Sequence, residues 1–300
     1  MTRTGPRPVE ALRPHPAIPD LVVIGDVMVD VSVQAPALAR GGDVHGEVRI
    51  RPGGTAANAA VWAALAGARV TLYGRVGDDT AGRVVREALV DRGVEARLAV
   101  DPKERTGTML VVWEAGERSM VADRGANGAF SADDIPQAVE AGAVLVSGYL
   151  LLHPPTEAAA REALARSRAP WIAVDAASWP LLEAYGAERF FEATSNATVL
   201  FANEREAAVL GGDEDRSSLT QRYEVVCVKR GAGGAEARRG SRVLLSKESA
   251  SEVDPTGAGD AFDGTFLAEL VREADLERAL TRASSAGARC AASEDPWPPA

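Results

Sequence analysis

A glycine-rich turn leads directly into an apolar helical run, in the order Asp254-Pro255-Thr256-Gly257-Ala258-Gly259-Asp260-Ala261-Phe262. Gly257 and Gly259 flank Ala258, so the backbone can turn sharply and bring unshielded N–H groups close to a ligand. Asp260 falls on the first turn of the helix. Backbone donors at a helix N-terminus attract anions, and a carboxylate among them suits a base beside a transferring phosphoryl group. We interpret the stretch as an anion hole with a general base; the alternative is a helix capped by Thr256 or Asp260.

A second glycine pair opens another predicted helix, in the order Gly53-Gly54-Thr55-Ala56-Ala57-Asn58. Val61, Trp62 and Leu65 supply an apolar stripe at helical spacing. Asn58 therefore falls in the first turn of this helix. Its amide can face solvent, but beside Gly54 it can also donate to and accept from a sugar hydroxyl group.

The first predicted strand, Leu21 to Ile24, is apolar throughout, which is typical of a central strand buried on both faces. Asp26 and Asp30 follow as the chain leaves this strand. Ligands collect at the carboxyl ends of strands in open α/β sheets, so both acids are placed where a polar substrate would bind. Either can instead cap a turn, and Asp26 is the stronger candidate for that structural role.

Two later strand ends carry polar motifs. Asn203 opens a helix directly after a predicted strand and is an obvious N-cap, with Glu206 one turn later in a position consistent with a capping box. The same pair can order water around Mg²⁺. Lys229 ends another predicted strand and leads into a loop with Gly231 and Gly233, where a nucleotide phosphate can approach the backbone.

Strands and helices alternate along most of the chain, which predicts a doubly wound α/β domain over residues 20–300. The later predicted strands of its sheet are Val70–Tyr73, Ala143–Ser147, Trp171–Asp175, Thr198–Ala202 and Glu224–Lys229. Short irregular strands within residues 31–52 and a hairpin within residues 104–124 are expected to form a small separate sheet, which can act as a lid. Residues 1–19 contain five prolines, and we expect an extended or disordered arm with no catalytic role.

The composition excludes several classes of protein. A formal net charge of -10 argues against a general nucleic-acid binder, since binding phosphates requires a basic face. No apolar run reaches membrane-spanning length and the N-terminus lacks an apolar signal core, so no membrane partner is expected. Cys227 and Cys290 lie in separate apolar runs, which indicates neither a disulfide framework nor a metal site and fits a cytoplasmic location.

Searches for other catalytic motifs are negative. The sequence contains no G-x-x-x-x-G-K-[ST] loop, and no G-x-G-x-x-G segment opens a helix after the first strand, so neither a P-loop nor a Rossmann dinucleotide site has support. His15, His45 and His153 are scattered, and neither a nucleophilic Ser elbow nor a Cys/His cluster is present. Hydrolase and zinc-enzyme interpretations are thereby excluded.

Together, the segments 53–58 and 254–260 resemble the two signatures of the ribokinase-like, or PfkB-type, carbohydrate kinases, and their separation also agrees. Further points of similarity are Gly25-Asp26 with Asp30, Gly77-Asp78-Asp79, Thr106-Gly107, Gly125-Ala126-Asn127 and Asn203-x-x-Glu206. The resemblance covers roughly residues 20–290. It implies a three-layer α/β/α fold with a doubly wound sheet and a small β-sheet lid, and Mg-ATP-dependent phosphorylation of a hydroxyl group on a small sugar.

The resemblance also implies roles for individual residues. Asp260 would take the proton from the substrate hydroxyl group, and the N–H groups of Gly257, Ala258 and Gly259 would form the anion hole. The expected substrate-binding positions are Asp30, Gly54 and Asn58, together with Asp26 at the first strand end. The expected nucleotide-binding positions are Asn203, Lys229, Gly231, Gly233 and Thr256. The expected metal positions are Glu206, for Mg²⁺ through water, and Asp254, for a monovalent cation such as K⁺.

Two positions depart from the family pattern. Met28 stands where ribokinase itself has a polar sugar-binding side chain. The short tail ends in Asp295-Pro296-Trp297-Pro298-Pro299, unlike the segment that usually completes the cation site.

Three alternatives remain open from the sequence. The chain can be a nucleoside kinase, a kinase of sugar acids of the 2-keto-3-deoxygluconate type with Arg118 or Arg124 meeting the carboxylate, or a catalytically silent sugar- or nucleotide-binding protein on the same fold. The presence of Asp260 with both flanking glycines argues against a silent protein. Asp30 disfavours a substrate carboxylate beside it, so neutral polyols rank ahead of sugar acids. A homodimer formed through the lid is also expected.

Overall fold

The structure, a computed structural model, describes residues 18–39, 41–114, 117–211, 216–248 and 253–298. The strands in these ranges are β1 Leu21–Ile24, β2 Met28–Ala35, β3 Glu47–Gly53, β4 Val70–Gly77, β5 Val94–Asp101, β6 Gly107–Glu114, β7 Glu117–Asp123, β8 Val139–Glu140, β9 Ala143–Val146, β10 Ser167–Arg168, β11 Trp171–Asp175, β12 Val199–Asn203, β13 Val225–Lys229, β14 Ala235–Arg239 and β15 Arg242–Ser246. The α-helices are α1 Thr55–Leu65, α2 Thr80–Asp91, α3 Gly148–Leu151, α4 Glu157–Arg166, α5 Trp179–Tyr185, α6 Ala187–Ala193, α7 Glu204–Gly211, α8 Ser217–Thr220, α9 Ala258–Glu273 and α10 Leu276–Ala291. None of the helices in the described ranges combines the length and apolar character needed to cross a bilayer. The proposed arm over residues 1–19 lies outside the described ranges except for its last two residues.

A nine-stranded sheet forms the centre of the molecule, in the order β15-β14-β13-β12-β11-β9-β1-β4-β5. The strands from β13 to β5 in this order are parallel, and β14 and β15 continue the sheet antiparallel. The chain proceeds from β1 outward to β4 and β5, then resumes at β9 on the other side of β1. Ligands of such sheets bind outside the carboxyl ends of the strands, where the order reverses. The topology therefore predicts a ligand site at the carboxyl ends of β1 and β9.

The side chains of β1 show why the sheet is covered on both faces. Leu21 and Val23 belong to one hydrophobic core, Val22 and Ile24 belong to the other, and all four are buried. Helices α1, α2, α9 and α10 pack on the first core, and α3 to α8 pack on the second. The continuous apolar run is the expected pattern for a strand between two helical layers. The predicted three-layer α/β/α fold is confirmed.

A second sheet has the order β3-β2-β6-β7 and is separate from the central one. The prediction of short irregular strands within residues 31–52 is wrong in detail, because β2 and β3 form a regular antiparallel ladder from the Met28–Gly53 pair to the Gln34–Glu47 pair. Valines alternate with polar residues along β2, which is the pattern of a half-buried strand. Strand β5, at the edge of the central sheet, was not predicted; its burial alternates only from Val94 to Leu98 and then becomes irregular.

Two polar groups tie the second sheet to the central one. Asp79 accepts hydrogen bonds from the Thr106 backbone N–H (2.8 Å) and hydroxyl (2.6 Å), and caps α2 through the Gly82 N–H (2.8 Å). The buried Asn127 amide bonds both the N–H and the carbonyl oxygen of Val27, each at 2.9 Å. These bonds fix the loop after β1 and the base of β6, which are the segments nearest the strand ends.

Helices α1 and α9 approach each other closely at Gly264. A Cβ atom placed on Gly264 would lie 2.0 Å from the carbonyl oxygen of Ala59, so only glycine permits this separation. Asn58 lies one residue before the contact on α1, and Asp260 lies one turn before it on α9. The close packing therefore sets the distance between these two side chains.

We predict that Gly264→Ala destabilises the protein by about 1–3 kcal/mol, because the added methyl group forces α1 and α9 apart. Urea denaturation of the variant and the wild type measures the difference. Gly128→Ala is the matched control, since a Cβ there would meet its nearest neighbour, His153 Nε2, at an ordinary 3.7 Å. Equal unfolding midpoints for all three proteins would contradict the close-packing argument.

Candidate active site

A cavity of about 650 Å³ opens at the carboxyl ends of the parallel strands. Four strands of the central sheet bring polar side chains to its wall: Asp26 follows β1, and Asp175, Asn203 and Lys229 end β11, β12 and β13. Residues of the second sheet line one part of the cavity, residues of α10 line another part, and the N-terminus of α9 contributes to the same lining. One cavity therefore joins both parts to a helix terminus.

The cavity collects most of the residues that the sequence predicted. The lining includes Asp26, Asp30, Gly54, Asn58, Asn203, Glu206, Lys229, Gly231, Thr256, Gly257, Ala258, Gly259 and Asp260. Gly233 is not in the lining; it belongs to a 3₁₀ turn whose neighbour Gly234 reaches the cavity. Asp254 is not in the lining either, and its Oδ1 accepts a hydrogen bond from the Thr256 N–H at 3.0 Å.

The start of α9 has the geometry of an anion site, with one change from the expected donors. Gly257 is the N-cap with φ of 80°, a left-handed conformation that favours glycine. The N–H of Ala258 donates to the Pro255 carbonyl oxygen at 3.1 Å. Ala258 is therefore engaged in the turn, and the first-turn N–H groups of Gly259 and Asp260 become the available donors together with Gly257.

Asp260 faces the middle of the cavity from the first turn of α9. Burial raises the pKa of its carboxyl group to about 7, and the hydrogen bond from Asn58 and the charge of Lys229 oppose part of this rise. The negative charges of Asp175 and Asp30 add to it. A carboxylate with a pKa close to neutral can accept a proton and release it again under ordinary conditions, as a general base must.

Asn58 is already bonded at both ends of its amide. Its Nδ2 donates to Asp260 Oδ2 at 2.8 Å, and its Oδ1 accepts from the indole Nε1–H of Trp297 at 2.7 Å. The sequence predicted an amide that donates to and accepts from a sugar. In the folded chain the oxygen is occupied by a tryptophan of the C-terminal tail, so the second N–H of Asn58 is the group left for a ligand.

Lys229 lies between two carboxylates that the sequence analysis did not select. Its Nζ contacts Asp175 Oδ2 at 2.8 Å and both oxygens of the buried Asp263 at 3.0 Å. Burial opposes its charge, but these carboxylates raise the pKa of Lys229 well above its usual value. Asp263 follows Asp260 by one helical turn, and this spacing in the sequence could have identified Asp263 as a residue near the site.

Asn203 and Glu206 form the predicted capping box at the start of α7. The Glu206 N–H donates to Asn203 Oδ1 at 3.0 Å, and the Asn203 N–H donates to Glu206 Oε2 at 2.7 Å. The Asn203 amide also donates to Glu206 Oε1. Burial and the nearby Asp175 charge raise the pKa of Glu206 to about 7. Glu206 thus has a local structural role while its carboxyl group lines the cavity.

The end of the cavity under the second sheet carries both acids and arginines. Asp26 Oδ1 accepts from Arg124 Nη2 at 2.7 Å. Burial raises the pKa of Asp30 to about 6, and the charge of Arg51, its cross-strand neighbour, opposes this rise. The buried Nε atoms of Arg124 and Arg51 have no acceptor among the described residues. This end therefore offers hydrogen-bond donors as well as carboxylates.

The opposite end is lined by one face of α10, which the sequence analysis did not assign to the site. Its lining residues are Ser284, Gly287, Ala288 and Ala291, which recur at helical spacing. The buried hydroxyl group of Ser284 has no hydrogen-bond partner among the described residues. Small side chains leave a flat slot against the helix. Tyr149, Met109 and Met120 also line the cavity and carried no signal in the sequence.

Comparisons with known proteins agree with this geometry. The model of the family described as pfkB family carbohydrate kinase matches residues 19–296. An ATP-dependent ribose-1-phosphate kinase of Halopiger xanaduensis is 34% identical over 284 residues, covering 90% of this chain and 91% of the relative. A ribokinase of Bacillus subtilis is 30% identical over 280 residues, covering 89% and 91%. The crystal structure of a putative ribokinase II from E. coli in complex with ATP and Mg²⁺ is similar in fold, with a TM-score of 0.81 and 23% identity, covering 93% of this chain and 94% of that one.

Proposed function

The chain belongs to the pfkB family of carbohydrate kinases, phosphotransferases with an alcohol group as acceptor, and we propose that it transfers the γ-phosphoryl group of ATP to a hydroxyl group of a small sugar, with Asp260 as general base. The observation that carries the proposal is the position of Asp260. Its carboxyl group, with a pKa of about 7, lies beside first-turn N–H groups in the cavity at the carboxyl ends of the parallel strands. A proton acceptor beside an anion site is what an in-line phosphoryl transfer requires.

Several groups of the chain have separate roles in the proposed reaction. Asp260 accepts the proton of the attacking hydroxyl group, and Asn58 holds the ionised carboxylate through its N–H at 2.8 Å. The N–H groups of Gly257, Gly259 and Asp260 donate to the negative charge that develops on the transferring group. Lys229 places its cation beside the same helix terminus, since a Cβ on Gly259 would lie 3.3 Å from Nζ. Catalysis then rests on positioning and charge stabilisation.

The residues around the helix terminus fit a magnesium ion carried by a nucleotide. Asp175, Glu206, Asp260 and Asp263 lie around the cation of Lys229, so among these five groups the acidic side chains outnumber the basic one. Among the described residues no cluster of three or more acidic, histidine or cysteine side chains is arranged to bind a metal directly. Mg²⁺ commonly keeps several waters and binds phosphate oxygens with one or two carboxylates, and Glu206 would hold it through water. When bound, Mg-ATP supplies the phosphoryl group and neutralises its charge.

The nucleotide is proposed to occupy the end of the cavity lined by α10. Asn203, Lys229 and Gly231 lie at strand ends beside the phosphate region, with Thr256 at the turn before α9. The flat α10 face suits a planar base, and the unpaired Ser284 hydroxyl group supplies one polar contact. For a monovalent cation such as K⁺ at Asp254, the support is the resemblance alone, and a K⁺ titration of turnover tests it.

The acceptor is proposed to bind under the second sheet, at Asp26, Asp30, Gly54 and Asn58. Asp30 favours a neutral polyol, because a substrate carboxylate beside it would be repelled. The unpaired Nε atom of Arg124, which lines the cavity, favours a second candidate, a sugar that carries an anionic group. The ribose-1-phosphate kinase of Halopiger xanaduensis bears the name of such a substrate. The side chain of Arg118, the other arginine considered for this role, is outside the described part of the structure.

We predict that Asp260→Asn lowers kcat by about 10²- to 10⁴-fold and leaves ATP binding nearly unchanged, because the variant loses only the proton acceptor. A coupled ADP-release assay over pentoses, hexoses, sugar acids, sugar phosphates and nucleosides identifies the acceptor first. ATP affinity is then measured by calorimetry. A variant that keeps more than about a tenth of wild-type turnover would assign Asp260 to helix capping alone.

The assignment of Asp260 as general base also predicts how kcat/KM depends on pH. Asp260 must be ionised to accept a proton, so kcat/KM should fall about tenfold per unit as the pH drops below about 7, and level off above it. The residual activity of Asp260→Asn should lack this acidic limb. Glu206 has a similar pKa, and Glu206→Gln is the control: it should retain the limb, although at lower activity.

We predict that Arg124→Lys separates the two acceptor classes. Lysine keeps a cation for Asp26 but loses the Nε–H, so kcat/KM for an anionic sugar should fall about 10- to 100-fold while that for the matching neutral sugar changes little. Asp30→Ala should have the reverse preference. Arg105→Lys is the matched control, because the side chain of Arg105 is 85% exposed. Equal losses for both sugars in Arg124→Lys would remove the anionic candidate.

We also propose a homodimer through the second sheet. Ile50, Val31, Leu110 and Val121 lie in line across its four strands, and the next row of the same face carries Val48. Ile50, Val48 and Val121 are 60–70% exposed. We predict a dimer by sedimentation at micromolar concentration that Ile50→Glu dissociates and Val243→Glu, on β15, does not. A monomeric wild type would refute the proposal.

A further inference from the structure

The last described segment of the chain enters the catalytic region. After α10, residues Asp295 to Trp297 return to α1, where they contact Asn58 and Trp62. Trp297 is 3% exposed, and its indole Nε1–H donates to Asn58 Oδ1 at 2.7 Å. Trp297 is not among the residues that line the cavity, and its side-chain hydrogen bond to the site is the one to Asn58.

The hydrogen bond from Trp297 selects one orientation of the Asn58 amide. With Oδ1 toward the indole N–H, Nδ2 points to Asp260 Oδ2 at 2.8 Å. The reversed amide would set N–H against N–H at the indole and oxygen against oxygen at the carboxylate. Both contacts would be repulsive, and because Asn58 is only 3% exposed, losing its two hydrogen bonds would be costly.

We propose that Trp297 is a positioning residue for the kinase reaction: its indole N–H fixes the Asn58 amide, which in turn directs an N–H at the catalytic carboxylate of Asp260. The inference rests on the proposed role of Asp260 as base. It assigns a function to the segment that follows α10. Trp297 itself touches neither reacting group and acts through Asn58.

The tail is held against α1 by its own contacts, so the indole is kept in place. Trp62 lies one helical turn after Asn58 and donates its Nε1–H to the Pro296 carbonyl oxygen at 2.8 Å. The Trp297 N–H donates to Asp295 Oδ1 at 3.0 Å, and the guanidinium of Arg92 lies 5.8 Å from the centre of the Trp297 ring. Two indole N–H hydrogen bonds, from Trp62 to Pro296 and from Trp297 to Asn58, therefore hold the tail against the helix that carries Asn58.

The charged groups around Asp260 and Asn58 determine how a substitution at Trp297 would change the pKa of Asp260. The titratable or charged groups around Asp260, Asn58 and the tail include Lys229, Asp175, Asp30, Cys290, Asp254, Asp295, Arg289 and Arg92, and Asp263 follows Asp260 by one turn of α9. Burial raises the pKa of the Cys290 thiol to about 12, so it stays protonated near neutral pH. The N–H of Asn58 stabilises ionised Asp260 and lowers its pKa. Releasing the amide must therefore move the Asp260 titration to higher pH.

The first test is Trp297→Phe, which keeps an aromatic ring and removes the N–H. We expect kcat to fall about 5- to 100-fold, the acidic limb of kcat/KM to move up by about half a pH unit or more, and the KM for ATP to stay constant. Trp179→Phe, at the exposed start of α5, should change none of these. In an Asn58→Ala background, Trp297→Phe should cause no further shift in the acidic limb of the kcat/KM profile. An unshifted limb, or equal shifts in both backgrounds, would overturn the inference.

The second test needs neither a substrate nor a destabilising variant. In the wild-type chain labelled with ¹⁵N, the Nε1–H resonance of Trp297 should shift with pH through the Asp260 titration, because the charge change is relayed by the Asn58 amide. The Nε1–H of Trp62, bonded to a backbone carbonyl oxygen, should stay flat. Asp260→Asn should abolish the shift. A flat Trp297 resonance between about pH 5.5 and 8.5 overturns the relay even if the protein is an active kinase.

Discussion

The site depends on the close approach of α1 and α9 at Gly264. Since a Cβ there would meet the Ala59 carbonyl oxygen at 2.0 Å, the two helices pack backbone against backbone. That separation allows Asn58 on α1 to reach Asp260 on α9 at 2.8 Å. The same approach brings the glycine pair before α1 and the glycine turn before α9 to one cavity. Two motifs about 200 residues apart thus become one site through a helix contact that neither motif contains.

An imbalance of charge governs the chemistry of that site. Lys229 is the cation shared by Asp175 and Asp263, while Asp260 and Glu206 lie nearby with pKa values of about 7. Burial and mutual repulsion keep these two carboxyl groups easier to protonate than an exposed acid. A base with this pKa is matched to neutral conditions, and the excess negative charge is the environment in which Mg-ATP would be bound.

Several residues in the motifs shared with the family stabilise the fold instead of facing a ligand. Asp79 and Thr106 join the start of α2 to β6, and Asn127 ties the loop after β1 through both backbone groups of Val27. These bonds fix the second sheet above the strand ends where Asp26 and Asp30 lie. Asn203 and Glu206 likewise cap α7 while they line the cavity. Structural and ligand-facing roles are combined in the same short motifs.

The sequence by itself determined the local elements that carry the polar motifs. The apolar run of β1, the capping box at Asn203 and the glycine turn before Asp260 are local patterns, because backbone freedom, capping and period-two burial act over a few neighbouring residues. It did not reveal β5, whose alternation is weak, or the α10 face, whose small residues look like ordinary core. Only the tertiary structure decided which long-range partners each group has. Lys229 donates to Asp263, the Ala258 N–H donates to the Pro255 carbonyl oxygen, and Trp297 donates to Asn58, which lies 239 positions earlier in the chain. Such contacts follow from packing over the whole chain.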